Sequence, residues 1–200
     1  GNVITFGCGS FSQVVYVDIG NNICWPGDDV VAKLPNFMLS GWGYASFLLD
    51  LSRKEKLGEL TWLRKAVQDT LGADSLEASG HRWGYLGPMM EKLLGTDELR
   101  QFLSRVADSV IQIKKVFMEY LKGCEPPRIV FGGGAVRSNA LWTALKSELA
   151  KRGENVIRVE GEPAVGLARF AAYNTDANPW SYIGLKRPSW MCLDKPVFKE

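Results

Sequence analysis

The spacing of apolar residues changes character along the chain, and each change marks a different kind of element. Residues 3–6 form a short β-branched run and residues 12–19 are dense in valine, so both read as strands. Gly7-Cys8-Gly9-Ser10 lies between them as a turn. Gly20-Asn21-Asn22 is hairpin chemistry, because glycine and asparagine tolerate positive φ. A third strand over 23–25, stopped by Pro26-Gly27, would complete an antiparallel meander. Beyond Pro35 the period becomes helical. Phe47, Leu48 and Leu51, then Leu60, Leu63, Val67 and Leu71, fall on helix faces, with Gly58 dividing two helices. Gly80, Gly84, Gly87 and Pro88 break up the next stretch, leaving a short helix over 89–94.

The clearest helix spans 97–122. Thr96 is a good N-cap, Asp97 and Glu98 suit the first turn, and the stripe Leu99, Phe102, Leu103, Val106, Val110, Ile113, Phe117 is continuous. Pro126-Pro127 prevents its resumption. A strand over 129–131, the run Gly132-Gly133-Gly134, a helix over 138–152 stopped by Gly153, and a strand over 155–159 follow. Pro163 opens a last helix rich in small residues. The order predicts an α/β fold: a three-stranded antiparallel meander followed by alternating α/β units, giving a mixed five-stranded sheet with helices on both faces.

Composition narrows the function classes. Two hundred residues with 46% apolar and 23% charged suit one globular unit rather than disorder. A net charge of +2 with interleaved signs gives no case for nucleic acid or an acidic membrane surface as the main partner. The longest charge-free stretch, 34–49, is too short and too broken by Pro35, Gly41 and Gly43 to span a bilayer. Four scattered cysteines without a C-x-x-C pair, and a single histidine, His81, argue against a zinc site and for reduced thiols in a cytoplasmic protein. The opening residues read as a strand rather than a charged-then-apolar leader, so secretion is not expected. A chain that opens inside a strand, without a start methionine, is expected to be part of something longer.

Two glycine turns carry the candidate chemistry. Gly7, Gly9 and Ser10 either form a bare β-turn or present backbone N–H groups and a hydroxyl to an anion. A dinucleotide fingerprint would need a helix next, but Gln13 to Val17 is strand sequence, and the interval to Asp18 is too short for the helix of a methyltransferase loop. Gly132, Gly133 and Gly134 sit between a strand and a helix with a polar start, Ser138-Asn139, where backbone and helix end can meet a ligand. Glu160 and Glu162 read as helix-start charges rather than catalytic acids. Asp18-Ile19-Gly20 fits a hairpin end, and His81 a loop.

As a set, the glycine turn in a meander, the long helices, Gly132-Gly133-Gly134-Ala135-Val136-Arg137-Ser138-Asn139 and the Pro163-Ala164-Val165-Gly166 helix resemble the second lobe of the actin, chaperone and sugar-kinase superfamily. That lobe is ribonuclease H-like. The triple-glycine turn looks like that of the glycerol and xylulose kinase branch. Phe6-Gly7-Cys8-Gly9-Ser10 with Ser40-Gly41-Trp42-Gly43-Tyr44 is similar to the N-acetylglucosamine kinase and BadF-type ATPase branch. Cys8 replaces the usual threonine, and the acidic G-D-E-G-S stretch is missing, Asp50 lying nearby without flanking glycines.

The resemblance implies ATP and magnesium as ligands, with Gly7, Gly9 and Ser10 on phosphate and Gly132, Gly133, Gly134 and Asn139 on the adenosine side. It implies a sugar acceptor and an N-terminal lobe that supplies the catalytic aspartate upstream of residue 1. No catalytic residue or metal ligand is assigned within the chain, and these 200 residues alone are expected to be inactive. The lobe would cover 1–176, with a helical insertion at about 58–96 and an irregular tail over 177–200. A relative that keeps the fold as a non-catalytic nucleotide-binding or assembly module is the competing reading.

Overall fold

The computed structural model describes residues 2–9, 12–18, 34–35, 37–55, 57–71, 86–120 and 125–159. The expected third meander strand, Ser10, His81, the helix from Pro163 and the tail lie outside the described residues.

Strand β1 (Asn2–Cys8) pairs antiparallel with β2 (Ser12–Asp18), the register closing at Cys8 opposite Ser12. It also pairs parallel with β3 (Arg128–Gly132), which pairs parallel with β4 (Val156–Val159). The sheet order is β2-β1-β3-β4. Among the described residues the sheet has four strands where five were expected, and it is mainly parallel rather than built on a meander: β1, β3 and β4 run parallel and only the β1–β2 ladder is antiparallel, the third meander strand lying outside those residues. The physical reason is that β3 docks on the free edge of β1, a long-range pairing that no local turn signal announces.

Five α-helices lie among the described residues: α1 (Gly41–Ser52), α2 (Thr61–Leu71), α3 (Leu86–Lys92), α4 (Asp97–Tyr120) and α5 (Asn139–Ala150). Gly58, at φ +53, opens a short 3-10 turn (Gly58–Leu60) between α1 and α2, as its divider role requires. Helix α3 starts earlier than the sequence suggests and takes in Gly87 and Pro88. Proline is tolerated in a first helical turn because its missing N–H would have no intrahelical partner there.

Helix α4 follows its pattern closely. Leu99, Phe102, Leu103, Val106, Val110, Ile113 and Phe117 are all buried, each burial contributing about 1.5–3 kcal/mol. Thr96 caps it: its Oγ1 accepts from the Leu99 N–H at 3.3 Å and donates to the Leu93 carbonyl at 2.7 Å. An ion-pair clip joins α4 to the end of α5, where Arg152 reaches Asp108 Oδ1 and Ser104 Oγ, each at 2.7 Å.

Ile4, Phe6, Cys8, Ile129, Phe131 and Val156 share one sheet face and belong to the same buried core as the five helices. Phe6 stacks on Phe131 at 5.0 Å, and Trp142 of α5 meets Phe131 edge-on at 5.5 Å. The described helices cover that face. The expected cover of the second face rests on residues beyond Val159. No helix among the described residues is long and apolar enough to cross a membrane.

Candidate functional site

The parallel register sets Phe6 beside Phe131 and Gly7 beside Gly132, so β1 and β3 end at the same edge of the sheet. The chain then leaves in opposite directions, from β1 back into β2 and from β3 through α5 to β4. Divergent exits leave a crevice outside the carboxyl ends of adjacent strands, which is where α/β sheets bind ligands.

Gly133 closes the inner side of that crevice. It lies at φ 114 and ψ 177, and a Cβ there would stand 2.6 Å from the Cys8 carbonyl oxygen and 3.0 Å from the Cys8 nitrogen. The triple glycine is therefore needed in part for packing. The resemblance puts Gly133 with Gly132 and Gly134 on the adenosine side, whereas a side chain at Gly133 would meet the β1 backbone. Gly134 differs. A Cβ there meets nothing within 4 Å, and Gly134 lines an adjoining cavity of about 520 Å³.

Three segments wall this cavity. Gly9 and Gly41 stand on one side, joined by a 2.9 Å hydrogen bond from the Gly41 N–H to the Gly9 carbonyl. Gly134, Ala135, Arg137 and Ser138 form the second wall, and Gly87, Pro88 and Glu91 of α3 the third. Two helices begin here. Ser40 caps α1, its Oγ accepting from the Gly43 N–H at 3.0 Å, and Ser138 caps α5 by accepting from the Leu141 N–H at 3.2 Å. Both positive helix ends thus abut the same space, which favours a negative group within it.

Tyr44 of α1 also lines the cavity. Its side chain is buried and its hydroxyl donates to the Ala135 carbonyl at 2.7 Å, tying α1 to the triple-glycine turn. Burial, with the nearby Cys8 adding to it, pushes the phenol well above its usual range. Burial likewise pushes the Cys8 thiol up, so both groups are neutral at physiological pH and Cys8 is no thiolate nucleophile.

The residues singled out from the sequence thus divide. Gly9 and Gly134 line the cavity; Gly7 and Gly132 lie inside the ladders beside it; Gly133 packs on Cys8; Ser10 is outside the described residues. Asn139 begins α5 but is absent from the cavity wall, its Oδ1 accepting from Arg158 Nη2 at 2.7 Å. Tyr44, Glu91, Arg137 and Arg158 were not foreseen as site residues. Tyr44 and Arg137 lie in the motif stretches that drew attention for their glycines, whereas Glu91 and Arg158 have no motif around them.

A larger cavity, about 600 Å³, lies between α1 and α4 over Phe47 and Phe102, with Asp50 on its wall. Met38 and Gly43 at the start of α1 also line it, but the two glycine segments and the start of α5 are on the smaller cavity's wall alone, so the smaller one is the better candidate. Among the described residues no cluster of three His, Cys, Asp or Glu side chains could hold a metal ion, and Glu91 is the one carboxylate on the smaller cavity's wall. No family model and no curated protein sequence matches this chain.

Proposed function

We propose that this chain is the ATP-side lobe of a sugar-kinase-like or BadF-like phosphotransferase, working in the cytoplasm with a second lobe. The observation that carries this reading is the convergence of two glycine segments, far apart in sequence, at the shared carboxyl edge of β1 and β3, beside two capped helix starts. A volume of about 520 Å³ falls within the roughly 300–1,000 Å³ typical of small-molecule sites. Backbone-lined walls suit phosphate, which glycine lets approach closely.

On this reading Gly9 and Gly134, with the start of α5, hold the nucleotide, and Arg137 and Glu91 flank it. Magnesium arrives with the phosphates rather than in a protein cage and neutralises their charge. What the chain itself contributes is binding and orientation. The sugar, the base that takes its proton and the rest of the metal's surroundings belong to the partner lobe.

Titrating the full-length protein with magnesium ATP tests the assignment, with Gly134→Val as the probe. A Cβ at Gly134 enters open space, so the variant's folding stability should stay within about 0.5 kcal/mol of the parent's. Affinity should fall at least about tenfold, by occlusion of the cavity. An unchanged affinity would remove Gly134 from the site, and no binding by the parent would remove the proposal.

The second reading, a non-catalytic nucleotide-binding or assembly module, draws on the cavity wall's single carboxylate among the described residues. Phosphoryl transfer to members of a sugar panel separates the two: a module binds ATP and phosphorylates none.

A further inference from the structure

The segment after the triple glycine is held from outside at three consecutive carbonyls. Tyr44 Oη donates to the Ala135 oxygen at 2.7 Å, and Arg158 Nη1 donates to the oxygens of Val136 and Arg137 at 3.0 and 3.4 Å. The segment's own structure is a single 3-10 turn (Gly134–Val136), with one backbone bond from the Arg137 N–H to the Gly134 carbonyl at 3.2 Å. Such turns have poor hydrogen-bond geometry and hold their shape weakly alone. In a planar trans peptide the carbonyl and the following N–H point in opposite directions. Fixing three carbonyls therefore fixes the orientation of the amides that follow them.

Arg158 is well placed for this task. It sits opposite Phe131 in the β3–β4 register, so the sheet sets where its side chain starts. Its guanidinium lies 5.7 Å from the Trp142 ring centre, and Trp142 packs on Phe131. The planar fork then spans the turn and the Asn139 side chain at the start of α5. Arg158 is not part of the cavity wall.

We propose that Arg158 is a positioning residue for the nucleotide site, acting through the 134–137 turn without touching the ligand. This rests on the nucleotide reading above. Losing the fork frees the carbonyls of Val136 and Arg137 and lets the amides facing the cavity reorient, so ligand affinity falls although no ligand contact is deleted.

The test measures magnesium ATP affinity and the melting midpoint of the full-length parent, Arg158→Ala, Arg158→Lys and Arg152→Ala. Arg152 is the control, because it bridges α4 and α5 with a comparable set of hydrogen bonds away from the cavity. Arg158→Ala should bind about tenfold more weakly, and Arg158→Lys, which keeps a cation and one donor direction, should recover to within about threefold. Arg152→Ala should keep the parent's affinity while losing stability. Parent-like affinity in Arg158→Ala, or an equal loss in Arg152→Ala, would overturn the proposal. Should Arg158→Ala not fold, Arg158→Met, which keeps the stem and loses every donor, decides: about tenfold weaker binding supports the role, and parent affinity overturns it. Absence of binding by the parent itself overturns both this inference and the nucleotide reading beneath it, and is distinguishable because it precedes any substitution.

Discussion

Gly43→Ala should cost roughly 3 kcal/mol or more of folding stability, although alanine is the better helix former. Gly43 lies in the first turn of α1, where replacing glycine by alanine ordinarily gains about 1 kcal/mol. Here a Cβ would overlap the carbonyl oxygen of Met38. That carbonyl accepts from the Ser40 N–H at 3.0 Å, and Ser40 caps the same helix, so the obstacle is anchored backbone rather than a movable side chain. Overpacking against backbone reaches the upper part of the range for inserted methyl groups. Gly87→Ala provides the contrast, since its Cβ would meet nothing within 4 Å, and it should be neutral or stabilising by up to about 1 kcal/mol. Denaturant midpoints for the two variants check the pair. Equal midpoints would show that α1 does not pack on the 38–40 backbone.

Gly133→Ala should be damaging for two reasons that add. The residue's φ of +114 is one that side chains rarely adopt, a strain of about 1–3 kcal/mol. The new Cβ would also stand 2.6 Å from the carbonyl oxygen of Cys8, inside the strand that holds the sheet together. A combined loss of roughly 3–5 kcal/mol follows, a large share of the about 5–15 kcal/mol a domain possesses. Chemical denaturation of parent and variant measures it. A variant with parent stability would mean that the turn does not lie on β1, and the crevice between β1 and β3 would have no inner wall. For the same reason Gly134, not Gly133, is the position at which ligand contact can be tested without unfolding the protein.

Much of the fold was readable where local rules agree. In α4 the apolar stripe, the Thr96 cap and the acidic first turn all favour one helix, and the strand, glycine turn and Ser138-capped α5 are as consistent. What could not be read locally was the parallel pairing of β1 with β3, since each strand is a short apolar run whose partner is distant in sequence. Two helix starts were also hidden. Gly41 and Gly43 look like loop residues, whereas Gly43 is small because Met38 lies against it; Gly87 and Pro88 look like breakers but occupy a first turn.

The candidate site was legible as two separate glycine turns. Their meeting was not, nor was the difference among the three glycines of the second turn, which depends on where the Cys8 backbone runs. Asn139 drew attention as a polar residue at a helix start, but the Arg158 that takes its side chain is placed by sheet register alone.

On the proposed reading the two glycine segments form one nucleotide site at the carboxyl edge of β1 and β3. Amide chemical-shift mapping of the full-length protein with magnesium ATP tests it most directly, because backbone N–H groups are the proposed contacts. The largest shifts are expected at Gly9, Gly41, Gly134, Ala135 and Ser138, saturating together with one dissociation constant. Shifts confined to Ser46, Gln101 and Gln112 in the α1–α4 cavity, or none at saturating nucleotide, would contradict it.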